Sequence, residues 1–108
     1  MAKIFIGKRA IGDGEPTYVI AEAGVKHNGS LARAKELIRK AAPAGAEGVK
    51  FQTYKADKLV TKIAPRFWNW KGQVKQKGTQ HDSYSLLDSF PLKHYLELIK
   101  TCRKYGVE

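Results

Sequence analysis

The sequence predicts an α/β fold of successive strand, loop and helix units, and three observations predict it. Thr17 to Glu22 (TYVIAE) and Gly48 to Thr53 (GVKFQT) are short β-branched and aromatic runs with alternating faces. Ser30 to Ala42 and Pro91 to Tyr105 carry apolar residues at helical spacing. Glu22, Lys50 and Gln52 stand inside otherwise apolar strands, where a core would prefer no polar group. Alternation of this kind implies a parallel sheet with right-handed crossovers and helices on its outside.

In chain order, residues 3–6 (KIFI), then Gly7 to Gly14 and Glu15-Pro16, read as a short strand, a turn and a return toward the strand at Thr17, a small N-terminal hairpin or lid. The first long strand has Thr17, Val19 and Ala21 on one face and Tyr18, Ile20 and Glu22 on the other. Gly24 and the Asn28-Gly29-Ser30 cluster then turn the chain. Ser30 is an N-cap, and Leu31, Ala34, Leu37, Ile38 and Ala41 form the helix stripe. Pro43, which would cost about 3 kcal/mol inside a helix, ends or kinks it near Ala42. The second strand puts Val49, Phe51 and Thr53 on one face and Lys50 and Gln52 on the other. A connection of about thirty-five residues follows, long enough to be functional or mobile, with the segment of Phe67, Trp68 and Trp70 expected to pack on the body or over a site and a helical turn at 84–88. Pro91 takes the first position of a helix whose stripe is Leu92, Tyr95, Leu96, Ile99 and Cys102; Gly106 closes it, and Val107-Glu108 begin a third strand.

Parallel strands are buried on both faces, and two of them cannot supply the strands that the face of Glu22, Lys50 and Gln52 requires. The chain is therefore expected to be the N-terminal part of a larger protein. It reads as an N-terminal β-hairpin plus the first two βα units of a (β/α)8 TIM barrel, truncated, with 1–108 as one partial domain. In such a barrel the polar residues at the C-terminal ends of strands line the active site.

Composition excludes some classes. No apolar run approaches the roughly 18 residues of a membrane span, and the basic N-terminus lacks the apolar stretch of a signal peptide, so a cytoplasmic protein is expected. Cys102, on an apolar helix face, reads as a small hydrophobe rather than a nucleophile. The net charge of +10 is concentrated between Lys55 and Lys77, where Lys55, Lys58, Lys62, Arg66, Lys71, Lys75 and Lys77 face only Asp57. That segment is a solvated loop, a steering surface for an anionic substrate, or a nucleic-acid contact.

An interior lysine needs an anion. Two readings stay open: a Glu22 to Lys50 ion pair between neighbouring strands, or a site in which Lys50 holds a substrate carboxylate or phosphate, Glu22 handles a proton and Gln52 adds a hydrogen-bonding amide. His27 has no H-x-x-x-H or cysteine partner, and His81 and His94 have no metal-site spacing to it, so no residue here is assigned as a metal ligand. The loop is neither GxGxxG nor a P-loop, and Ser30 is an N-cap rather than a nucleophile.

IAEAGVKHNGSLARAKELI followed by AGAEGVKFQTYKADKLV resembles the N-terminal barrel region of the sialic acid synthase family, which makes N-acetylneuraminate, legionaminate and pseudaminate. The resemblance runs from about Ile4 to Glu108 and is most specific in IAEAG, HNGS and KFQTYKA. It implies a TIM barrel followed by a small antifreeze-like domain, and condensation of phosphoenolpyruvate with an N-acylated amino sugar such as N-acetylmannosamine. It also implies a Mn²⁺ or Mg²⁺ cofactor whose ligands lie outside these residues. By position, Glu22 would meet the sugar's reacting aldehyde oxygen, Lys50 would bind phosphoenolpyruvate and Gln52 would hold the sugar. Lys26 departs from the family's usual Asn, and Pro43 interrupts a helix that is normally continuous. The chain alone is expected to be a catalytically inactive half-site, with self-association into a homo-oligomer left open. The alternatives are a small basic nucleic-acid-binding module and an unrelated barrel aldolase with Lys50 as its Schiff-base amine. The first leaves Glu22, Lys50 and HNGS without a role, so neither nucleic acid nor membrane is expected as a partner.

Overall fold

The computed structural model describes residues 2–66, 78–86 and 90–108. In chain order the elements are β1 (Ile4–Ile6), β2 (Arg9–Ile11), β3 (Ile20–Gly24), α1 (Leu31–Ala41), β4 (Gly48–Phe51), α2 (Ala56–Leu59), α3 (Gln80–Ser85) and α4 (Leu92–Tyr105). They divide into two units, Met1–Gln52 with Pro91–Glu108, and Thr53–Phe90.

In the first unit β1 and β2 pair antiparallel, with Ile6 opposite Arg9. The hairpin therefore turns at Gly7-Lys8, where Gly7 adopts φ +56, and its return strand is β2 rather than the segment at Thr17. Glu47 ties this hairpin to the next strand. One carboxylate oxygen pairs with Arg9 at 2.5 Å, and the other accepts from the backbone N–H of Val19 at 2.7 Å.

β3 and β4 pair in parallel across α1. β3 lies later than the sequence suggests, at Ile20–Gly24, because the ladder starts where the carbonyl of Val19 accepts from the N–H groups of Glu47 and Gly48. α1 follows expectation. The Ser30 hydroxyl accepts from the Arg33 N–H, Ala34 and Ile38 are buried, and the helix stops before Pro43 with Arg39 and Lys40 in its last turn, where cations suit the helix dipole.

α4 is preceded by Pro91 as N-cap, one position earlier than predicted, and Gly106 closes it at φ +70. Its phase differs from the expected stripe. Leu98 is the buried residue, whereas Leu92, Leu96 and Ile99 are 75%, 52% and 47% exposed. Lys35 of α1 pairs with Glu97 of α4 at 3.1 Å, which helps set that rotation. No strand is assigned at Val107-Glu108, although the Glu108 N–H donates to Glu47 O at 3.0 Å and the Val49 N–H donates to Glu108 O at 2.8 Å, beside β4. Beside it an apolar groove of about 430 Å³ is lined by Val49, Phe51, Tyr95, Leu98, Ile99 and Cys102, among others. Cys102 is half-buried, and burial first, then the nearby Glu108, pushes its thiol pKa upward, which keeps it in the unreactive thiol form.

The second unit contains more regular structure than the expected long loop. Thr79 and Asp82 form a reciprocal capping box that starts α3 at Gln80, ahead of the turn placed at 84–88. Pro65 bridges Thr79, the Arg66 guanidinium donates to the Ser83 hydroxyl at 3.0 Å, and the rings of Tyr54 and Tyr84 meet edge to face. His81 meets Asp57 at 2.6 Å and holds that carboxyl below its usual range. Phe67, Trp68, Trp70, Lys71, Lys75 and Lys77, and part of the 84–88 turn, lie outside the described residues. Among the described residues, no helix is long and apolar enough to cross a membrane.

Candidate functional site

β3 and β4 are adjacent parallel strands, and their register sets Glu22 opposite Lys50. Neighbouring strands lie about 4.8 Å apart, so partners on one face are within reach of each other. The Lys50 ammonium donates to Glu22 Oε2 at 2.7 Å. Both side chains remain open to solvent, 53% exposed for Glu22 and 62% for Lys50.

Immediately after Glu22 the pairing shifts, so that Gly24 rather than Ala23 stands opposite Phe51. Gly24 adopts φ +54, and its carbonyl accepts from the Gln52 N–H at 3.2 Å. A Cβ on Gly24 would lie 3.4 Å from Glu22 Oε1 and 3.6 Å from Gln52 Oε1. Those are ordinary contact distances, so it is the left-handed backbone of the bulge that calls for glycine, and the carboxylate and the amide converge on one side of the strand ends beside it. A cavity of about 330 Å³ opens there, lined by Glu22, Ala23, Gly24, Val25, Lys26 and Gln52. All three residues singled out from the sequence are thus brought together: Glu22 and Gln52 on the wall, and Lys50 held against Glu22. Lys26 and the bulge at Gly24 are additions. The glycine directly after an IAEA strand was the available signal for the bulge.

The β3–α1 loop is a chain of tight turns. Lys26 donates to Ala23 O, Asn28 to Val25 O and Ser30 to His27 O, each at 3.0 Å, with Asn28 and Gly29 at φ +49 and +76. His27 is only 3% exposed, its ring lies 6.1 Å from that of Phe51, and its Nδ1 accepts from the Gly29 N–H at 3.0 Å. That acceptor role requires an unprotonated Nδ1, and burial lowers the His27 pKa below its ordinary 6.5. His27 is therefore a pin for the loop.

The consequence has a definite sign. A histidine whose folded pKa is depressed contributes its full stability above the unfolded value of 6.5, and this is lost as pH falls through the lower folded value. Urea midpoints measured downward from pH 7.5 are expected to drop below pH 6.5, and a His27→Gln chain to lose that part of the slope; equal slopes in the two chains would remove His27 as the pin.

The donor set does not fit a divalent cation. Among the described residues no three His, Cys, Asp or Glu side chains converge; the Glu22 carboxylate is engaged by Lys50, and His27 Nδ1 by Gly29.

Residues 37–108 match the family model described as NeuB family. The chain is 39% identical, over 94% of its length, to N,N'-diacetyllegionaminic acid synthase of Legionella pneumophila, and 36% identical, over 99% of its length, to the spore coat polysaccharide biosynthesis protein SpsE of Bacillus subtilis. It spans 28% of the length of each of these curated relatives. Among solved structures, the N-acetylneuraminic acid synthetase of Leptospira borgpetersenii matches 98% of this chain and 32% of its own, with a TM-score of 0.74 at 28% identity. SpsE matches 98% of this chain and 26% of its own, with a TM-score of 0.69 at 33% identity.

Proposed function

The chain belongs to the NeuB family, and from that premise we propose that Glu22, Lys50 and Gln52 are part of the active site of a nonulosonic acid synthase. The enzyme condenses phosphoenolpyruvate with an N-acylated amino sugar of the N-acetylmannosamine type and releases phosphate. The observation that carries this reading is the convergence of a carboxylate, an ammonium and an amide at the ends of two adjacent parallel strands, beside a glycine in a left-handed bulge. An ion pair as exposed as Glu22 and Lys50 contributes only about 0–1 kcal/mol. Stability alone gives little reason to place these charges beside Ile20, on a strand face that a barrel would bury.

In this reading C3 of phosphoenolpyruvate attacks the aldehyde carbon of the open-chain sugar. Water then adds at C2, and the C2–O bond to the phosphate breaks, leaving a ketone and free phosphate. Lys50 exchanges the Glu22 carboxylate for an anionic group of phosphoenolpyruvate. Glu22, released from Lys50, is the acid of the site in this reading and gives its proton to the developing alkoxide. Gln52 orients the sugar through its amide. A Mn²⁺ or Mg²⁺ ion belongs to this reading with its ligands supplied from outside these residues, and no step above passes through it. The fold in which these strands work is a (β/α)8 barrel; a third βα unit would cover the groove over Val49 and Phe51 and the exposed Leu92, Leu96 and Ile99.

The test is to express the complete reading frame in which these residues occur and to follow phosphate release from phosphoenolpyruvate with N-acetylmannosamine and Mn²⁺. Release that depends on the sugar is expected. The 108 residues alone are expected to release none, because Glu22 and Lys50 stand more than half exposed to water. Release that is indifferent to any acylamino sugar would sink the proposal.

A further inference from the structure

Of the charged side chains on the cavity wall, Glu22 and Lys26, the reaction above leaves Lys26 unused. Its backbone is fixed by the turn to Ala23 and by the pinned His27 that follows it, so the loop carrying this side chain is preorganised. Among the described residues, Lys26 has no ion-pair partner. The carboxylate that shares its wall, Glu22, is already matched by Lys50. The site therefore holds one carboxylate and two ammonium groups, an excess of one positive charge beside a cavity of about 330 Å³. An ammonium in this position donates up to three hydrogen bonds and supplies a point charge, which suits a carboxylate or a phosphate rather than a neutral hydroxyl.

We propose that Lys26 is a second anion-binding group of this site and selects for a ligand that presents a carboxylate or phosphate in addition to the group taken by Lys50. The inference rests on the reading of Glu22, Lys50 and Gln52 as a substrate site. Two sources of that anion share the same chemistry: phosphoenolpyruvate, which carries both a carboxylate and a phosphate, and an acidic substituent on the amino sugar.

The experiment is a ¹⁵N NMR titration of the 108-residue chain and its Lys26→Asn and Lys26→Arg variants with phosphoenolpyruvate, N-acetylmuramic acid and neutral N-acetylmannosamine. An anion is expected to shift the amides of Val25, Lys26 and His27 saturably. Lys26→Asn should raise its Kd about tenfold, and Lys26→Arg should restore most of the affinity. An effect on phosphoenolpyruvate assigns Lys26 to that substrate, and an effect confined to N-acetylmuramic acid assigns it to an acidic sugar. Either anion binding equally well to the Lys26→Asn chain and the parent chain, with no effect on the other, overturns the proposal, as does an absence of saturable shifts at these amides. The synthase reading fails separately: sugar-dependent phosphate release by the complete protein would survive the loss of Lys26 as an anion site, and anion binding at Lys26 would survive the loss of that turnover.

Discussion

In the complete protein, Glu22→Gln is expected to lower kcat by about 10²- to 10⁴-fold, the range for loss of a positioned proton donor, while KM for phosphoenolpyruvate changes little. The amide keeps the shape of the carboxyl and its contact with Lys50 but has no acidic proton to give to the sugar oxygen. Lys50→Ala should behave differently, removing the cation that meets the substrate anion. KM for phosphoenolpyruvate is then expected to rise by about 10²-fold or more, in keeping with truncation of one partner of a close charge pair. In the 108-residue chain both variants should stay folded, since the pair is exposed there and worth at most about 1 kcal/mol to stability. Steady-state kinetics with both substrates varied, alongside a urea midpoint, separates the effects. A Glu22→Gln enzyme with unchanged kcat would remove Glu22 as proton donor, and an unchanged KM in Lys50→Ala would remove Lys50 as the phosphoenolpyruvate anchor.

The second large effect concerns folding. Ile38 on α1 has no exposed surface, and the buried apolar set of its unit is otherwise Ala23, Ala34, Leu98 and Val107. Truncating a fully buried isoleucine costs about 2–5 kcal/mol through lost transfer energy and the cavity left behind. Whole domains are stable by only about 5–15 kcal/mol. Ile38→Ala is therefore expected to abolish most of the cooperative urea transition seen by circular dichroism. Leu92→Ala, at a residue 75% exposed, should fall within about 0.5 kcal/mol of the parent chain. Equal midpoints for the two variants would mean that α1 does not anchor the core as described.

These two experiments probe parts of the molecule that were legible to different degrees. The residues of the site could be read directly, because a glutamate, a lysine and a glutamine inside apolar strands conflict with burial wherever the strands end up. α1 could be read nearly to the residue, since Ser30 and Pro43 act locally on the backbone around them. The capping box of α3 was also local, in Thr79 and Asp82, but was passed over in favour of a later turn. α4 was legible as a helix but not in its rotation. Leu92, Tyr95, Leu96, Leu98, Ile99 and Cys102 make one broad apolar face, so the pattern allowed Leu92, Leu96 and Ile99 as its inner edge until packing against α1 buried Leu98 at the other edge.

By itself, the sequence determined the order of strands and helices in the first unit, the capping of α1 and the chemistry available at the strand ends. Each of these depends on interactions within a few residues along the chain. Only the tertiary structure decided that Glu22 pairs with Lys50, that a bulge at Gly24 brings Gln52 to the same cavity, and that Lys26 shares its wall. Those facts depend on register between segments almost thirty residues apart. A shift of one residue in that register would send these side chains to the opposite face, and no local propensity specifies it.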